Sequence, residues 1–131
     1  MNIQKVLIAD DDLDDIELLK ETILEHSTTI NISYVTDGVQ LMDELLKSTI
    51  PDILILDLNM PCKEGKECIS EIREMEDLKH LVIIVYSTTS TGGIKEECLS
   101  LGANFFVTKP TELVDLIKFS QAIIEGKFDH V

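Results

Sequence analysis

Ile53-Leu54-Ile55-Leu56-Asp57-Leu58-Asn59-Met60-Pro61 is the stretch on which the fold turns. Four apolar residues in a row suit a strand buried on both faces, because a strand with one wet face would alternate apolar and polar. Asp57 then stands where such a strand ends. The same layout recurs along the chain. Val6-Leu7-Ile8-Ala9 leads into Asp10-Asp11-Asp12, Leu81-Val82-Ile83-Ile84-Val85 leads towards Ser87, and Phe105-Phe106-Val107 leads to Lys109. Ile30, Ile32 and Tyr34 alternate with Asn31, Ser33 and Val35, the pattern of a half-buried edge strand.

Helical spacing fills the intervals. Leu13, Ile16, Leu19 and Ile23 follow Asp12, whose side chain suits a helix N-cap. Further helices carry Leu41, Met42, Leu45 and Leu46, then Cys68, Ile69 and Ile72, then Ile94, Cys98 and Leu101. Gly102 is placed to cap the last of these. A fifth runs through Leu113, Leu116, Ile117 and Ile124 to Gly126. Five strand–helix units with short links predict a doubly wound parallel α/β sheet with helices on both faces and right-handed crossovers. Such sheets bind ligands at the C-terminal ends of their strands. Residues 1–126 read as one domain and 127–131 as a short tail, with no length left for an output domain.

Composition narrows the function. The chain has 131 residues, 44% of them hydrophobic, enough for a core without staples. Its formal net charge of −14 repels phosphate backbones and argues against nucleic-acid binding. No apolar run approaches the ~20 residues of a membrane span, and Met1 to Lys5 lack a signal-peptide layout. The expected location is the cytoplasm. Cys62, Cys68 and Cys98 are odd in number and lack metal-site spacing. Cys68 and Cys98 fall on core positions of their helices, and Cys62 falls in a loop.

The residues after the strands carry the chemistry. The topology gathers Asp10, Asp11, Asp57, Ser87 and Lys109 at one sheet edge. Taken singly, each has a plainer role. Asp10 to Asp12 suit a helix N-terminus, Asp57 a turn, Ser87 a cap and Lys109 a solvated surface. Taken together, the carboxylates would repel one another unless they protonate, splay or bind a cation. Mg²⁺ suits few carboxylates plus a phosphate oxygen. A carboxylate can also act as nucleophile towards phosphorus, with metal, hydroxyl and ammonium spreading the phosphoryl charge.

At this point the sequence resembles the receiver domains of bacterial response regulators. The resemblance is carried by VLIADDD (Val6–Asp12), DILILDLNMPCKEG (Asp52–Gly65), IIVYST (Ile83–Thr88) and LGANFFVTKP (Leu101–Pro110). The local wording is similar to single-domain receivers that work beside phytochrome-type kinases. The resemblance implies a flavodoxin-like (βα)5 fold with sheet order 2-1-3-4-5. It implies that Asp57 accepts a phosphoryl group from a sensor histidine kinase or histidine phosphotransfer protein, so that the chain signals and is not an enzyme. It also implies one Mg²⁺, replaceable by Mn²⁺, on Asp10, Asp11, Asp57 and the Asn59 backbone carbonyl. Ser87 matches the switch hydroxyl, Lys109 the phosphoryl-pairing lysine, and Asn59 and Thr89 the positions that tune lifetime. The Lys109–Pro110 peptide is expected to be cis. Output would come through docking to a downstream protein or phosphoryl relay, by a monomer or a weak homodimer built on the fourth helix, fifth strand and fifth helix.

Two positions depart from the common receiver pattern. Phe106 stands where many members have a tyrosine that rotates inward, and Tyr86 is bulkier than the usual aliphatic. Phosphorylation is expected to draw Ser87 towards the new oxygens and let Phe106 pack into the space left. Three rival classes are a Mg²⁺-dependent hydrolase with an aspartate nucleophile, a receiver-like module that is never phosphorylated, and a flavin-binding domain. The first calls for a second acidic cluster late in the chain, which the sequence lacks, and turnover of a phosphate ester well beyond one equivalent would favour it. The complete acid, hydroxyl and lysine set counts against the second, and the lack of a phosphate-binding loop after the first strand counts against the third.

Overall fold

The computed structural model describes residues 2–47 and 49–128. Met1, Ser48 and Asp129 to Val131 lie outside them, so only Lys127 and Phe128 of the expected tail are described. The elements follow the expected order: β1 (Lys5–Ala9), α1 (Leu13–His26), β2 (Asn31–Val35), α2 (Gly38–Lys47), β3 (Ile53–Leu56), α3 (Gly65–Glu74), a short 3₁₀ turn (Glu76–Leu78), β4 (Val82–Ser87), α4 (Ile94–Leu101), β5 (Phe105–Thr108) and α5 (Leu113–Glu125). All strand pairs are parallel and the sheet order is β2-β1-β3-β4-β5. The order reverses between β1 and β3, which opens a crevice at their C-terminal ends.

Alternation along the strands divides the core into two halves. Leu7, Ala9, Leu54, Leu56, Ile83, Val85 and Phe106 pack with α2, α3 and α4. Val6, Ile8, Ile53, Ile55, Ile84, Tyr86 and Val107 pack with α1 and α5. Every residue of β3 is therefore buried, which explains its unbroken apolar run. Edge strand β2 departs from the simple alternation. Ile30 is buried, but Tyr34 is 48% exposed and Val35 is buried instead. At the sheet edge the helices cover only part of each face, so the last residues follow local cover. Phe128 is buried against Phe105, with ring centroids 5.2 Å apart, which extends the packed chain past α5.

The far side of the sheet is tied by Arg73, near the end of α3. Its guanidinium donates to the carbonyls of Gly102 and Leu81 and to Asn104 Oδ1, each at 2.8 Å. It also donates to Leu78 and Lys79 carbonyls at 3.1 and 3.3 Å. Asn104 Oδ1 accepts the Ile83 backbone N–H as well, at 2.8 Å. One planar fork thus joins α3, the start of β4 and the α4–β5 turn. Gly102 is obligatory beside it, since its φ is +122° and an added Cβ would lie 2.5 Å from Arg73 Cγ. Arg73→Ala strands several carbonyls and should lower stability by about 2–4 kcal/mol, read as a drop in the urea midpoint, with Arg73→Lys restoring only part of it.

Candidate functional site

Register places the chemistry. Ala9, Leu56 and Val85 lie level across β1, β3 and β4, so Asp10 and Asp57 emerge side by side. Ser87 lies level with Thr108, one residue before Lys109. Backbone bonds fix these exits: Asp57 N–H donates to the Ala9 carbonyl at 2.8 Å, and Lys109 N–H to the Ser87 carbonyl at 2.8 Å. Asp12 caps α1 by accepting the N–H groups of Asp14 and Asp15, as its sequence position implied. The β3–α3 loop closes through Gly65 N–H to the Leu58 carbonyl at 3.0 Å. A Cβ on Gly65 would lie 2.8 Å from the Asp57 carbonyl oxygen. That approach explains why a glycine follows the aspartate by eight residues.

Lys109 is the hinge of the charge pattern. Its ammonium lies 2.8 Å from Asp10, 2.7 Å from Asp15 and 3.5 Å from Asp57, with a side chain only 9% exposed. Burial alone would lower its pKa, but hydrogen bonds to Asp10 and Asp15 outweigh it and hold the group above the ordinary lysine range. The ammonium also sits 5.7 Å from the centre of the Tyr86 ring, which stacks on Phe119 at 5.1 Å. Burial, then the Asp15 charge, raises the Tyr86 phenol, so it stays neutral.

The carboxylates of Asp10, Asp11 and Asp57 offer oxygens within 4.8 Å of one another, and no second such group occurs among the described residues. At a surface-like dielectric each pair costs on the order of 3 kcal/mol when ionised. Asp10 shows the strain. Its pKa is raised from 3.8 to about 6: burial pushes it up, the Lys109 and Asp12 hydrogen bonds pull it part of the way back, and the Asp57 charge adds to the rise. Asp11 is exposed, and it lines an open recess with Asp12, Leu13 and Asp14. A buried pair with one solvent-facing oxygen donor fits a hard divalent ion that keeps water ligands.

The other side of Asp57 is different. Ser87 is fully buried and its Oγ accepts the Thr89 N–H at 3.2 Å. Ser87, Thr89, Asn59, Glu64, Lys66 and Ile94 line a recess of ≈190 Å³. Asn59 is exposed, and its N–H donates to Asp57 Oδ1 at 3.3 Å. Phe106 is packed inward at 8% exposure, in the core half that holds Val85, Cys98 and Ala103. A phenyl ring has no hydroxyl to keep at the surface, so burial suits it. The expected cis bond is corrected: Lys109–Pro110 is trans. Trans is the lower-energy form of most X–Pro bonds, and the trans turn already delivers Lys109 to the carboxylates.

Sequence reading missed Asp15 and undervalued Tyr86. A signal for Asp15 existed, because helical spacing puts it on one stripe with the buried Leu19 and Thr22. Asp14 instead shares its stripe with the exposed Leu18. Cys68 and Cys98 are buried as expected, and burial pushes the Cys68 thiol up to about 11, away from reactivity. Cys62 is exposed.

A parallel sheet of this order with acids at β1 and β3, a hydroxyl at β4 and a lysine at β5 defines a receiver. The chain belongs to the response regulator receiver domain family, which matches residues 6–121. It is similar to response regulator Rcp1 of Synechocystis sp., with 29% identity over 90% of this chain and 84% of that protein. Hybrid signal transduction histidine kinase M of Dictyostelium discoideum is 28% identical over 93% of this chain but only 5% of its own length. Among solved structures, the Mn²⁺-bound form of Rcp1 aligns with a TM-score of 0.84 and 30% identity, covering 98% of this chain and 96% of that one. The phosphorylated cyanobacterial phytochrome response regulator RcpA aligns at 0.86 and 27%, with the same coverage. No described helix is long and apolar enough to cross a membrane.

The raised Asp10 pKa has a sign that can be measured. The native state holds this proton more tightly than the unfolded chain, so stability falls as pH rises from about 4 to about 6, and the full penalty remains above that. In metal-free protein at pH 7.5, Asp10→Asn should therefore raise stability by roughly 1–3 kcal/mol. The same change should abolish most of the melting-temperature rise that divalent ions give the wild type.

Proposed function

We propose that this chain is a phosphoacceptor receiver in which Asp57 takes a phosphoryl group from the phosphohistidine of a sensor kinase or phosphotransfer protein. The observation that supports it most is the placement of Asp57. Its side chain is 8% exposed and lies between the cation-seeking carboxylates of β1 and the Lys109 ammonium. In the transfer, one Asp57 oxygen forms a bond to phosphorus while the P–N bond to the donor imidazole breaks. The imidazole leaves with that electron pair. Mg²⁺, or Mn²⁺ in its place, on Asp10, Asp11, Asp57 and the Asn59 carbonyl would neutralise carboxylate and phosphoryl charge together. Lys109 pairs with one phosphoryl oxygen. The Ser87 hydroxyl turns from the Thr89 N–H to another, on the side of the ≈190 Å³ recess.

Residues 1–126 form the working unit, and its output is an altered binding surface or onward relay to a further protein. The likeness to Rcp1 over most of that protein's length supports action without an attached output domain. Lys66 on α3 bridges to Glu97 on α4 at 3.2 Å beside the recess, so movement of Ser87 and Thr89 is felt at α4. Phe106 packs inward on the α4 side, and the Ser87 loop carries most of the change. Weak self-association through α4, β5 and α5 and a cytoplasmic location complete the reading.

Incubation with acetyl phosphate and Mg²⁺ should add one phosphoryl group by intact mass. Asp57→Ala, or omission of the metal, should abolish it. An unmodified wild type that also fails to bind a beryllofluoride mimic would leave a receiver fold used only for protein contacts.

A further inference from the structure

The geometry points to Asp15 as a positioning residue, a latch on Lys109 that the phosphoryl group must displace. The inference rests on the acceptor reading of Asp57 above. An ammonium has three N–H donors. Three carboxylate oxygens already surround that of Lys109, from Asp10 and Asp15 at 2.8 and 2.7 Å and from Asp57 at 3.5 Å. In the acceptor reading Asp10 turns to the metal and a phosphoryl oxygen takes the place of the Asp57 oxygen, so Asp15 is the partner left competing for the ammonium.

Exposure makes that partner able to yield. The Asp10 and Asp57 side chains are 2% and 8% exposed and belong to the carboxylate cluster that would hold the cation. The Asp15 side chain is 35% exposed, and water can take over its oxygens once Lys109 leaves. Asp15 is also held for this purpose. It sits in the first turn of α1, where its own N–H is fixed by Asp12 and its stripe is anchored by the buried Leu19. The latch therefore holds Lys109 nearer to Asp15 than to Asp57 and releases it at low cost. It sets how strongly the phosphorylated form is favoured, without touching phosphorus itself.

The test is a titration of beryllofluoride at saturating Mg²⁺ on the full chain, with melting curves to show that each variant is folded. Asp15→Asn should bind about three- to fivefold more tightly than wild type, the worth of a part-exposed ion pair. Asp14→Asn removes the same charge from the neighbouring position and should bind as wild type. In a Lys109→Ala background the gain from Asp15→Asn should vanish. Equal affinities for Asp15→Asn and Asp14→Asn, or a gain that survives without Lys109, would overturn the latch. If Lys109→Ala binds too weakly to titrate, Asp15→Glu decides. Affinity returning towards wild type supports the latch, and affinity staying at the Asp15→Asn level overturns it. Failure of the wild type to bind beryllofluoride at all would instead remove the acceptor reading, and the latch with it.

Discussion

A single ammonium set among too many carboxylates governs this structure. Asp10, Asp15 and Asp57 all lie within 3.5 Å of Lys109, and Asp11 stands in the same cluster as Asp10 and Asp57. One positive charge cannot neutralise four negative ones. The remainder is held together by the sheet, whose register forces Asp10 and Asp57 out of neighbouring strands at one level. The hydrophobic burial of β1 and β3 is what makes that crowding tolerable, because two strands with no wet face cannot slip by a residue without turning Asp10 and Asp57 into the core. The site is thus short of positive charge by construction. A divalent cation is the species that such a deficit selects.

Strand alternation then gives the edge two sides. Asp10, Asp57 and Lys109 continue the parity of Ile8, Ile55 and Val107, towards α1 and α5. Ser87 continues the parity of Val85, towards α3 and α4. Asp57 stands at the seam, so chemistry there touches a charged side and a hydroxyl-lined side at once. The two sides are not equally free. Arg73 pins the 3₁₀ turn, the start of β4 and the α4–β5 turn by five hydrogen bonds at the opposite end of the sheet. At the C-terminal end of the same strands the side-chain ties run through Lys109 to Asp10, Asp15 and Asp57 on one side and through Ser87 to Thr89 on the other.

Much of this was legible in the sequence for a physical reason. Unbroken apolar runs such as Ile53–Leu56 exist only where both sheet faces are covered, and that condition fixes a parallel, doubly wound sheet. The strand-end residues Asp10, Asp57, Ser87 and Lys109 were readable because topology alone brings them together. What escaped depends on side-chain direction. Asp15 reads as an ordinary acidic residue of a helix first turn, a role the helix dipole already explains, so nothing demanded a partner for it. Arg73 lies in a polar helix stretch, and its partners are backbone carbonyls that no sequence pattern marks. The Lys109–Pro110 bond was misjudged because isomer choice at an X–Pro bond turns on about 0.5–1 kcal/mol, well within what local packing decides.

Tyr86 shows how the two departures from the common receiver pattern bear on one another. Phe106 packs inward on the α3 and α4 side of the sheet. Tyr86 lies on the other side of β4, with Lys109 over its ring and Phe119 of α5 stacked beneath it. A buried cation over an aromatic face contributes roughly 0.5–2 kcal/mol, and that contact changes with any movement of the ammonium. An aliphatic residue at this position would pack against Phe119 equally well but would not register the charge. The bulky ring therefore joins the lysine to α5 through Phe119 on the buried face of that helix. In this chain the packing of α5 meets the charge balance around Lys109 on that side of the sheet, whereas the ring of Phe106 packs on the side of α3 and α4.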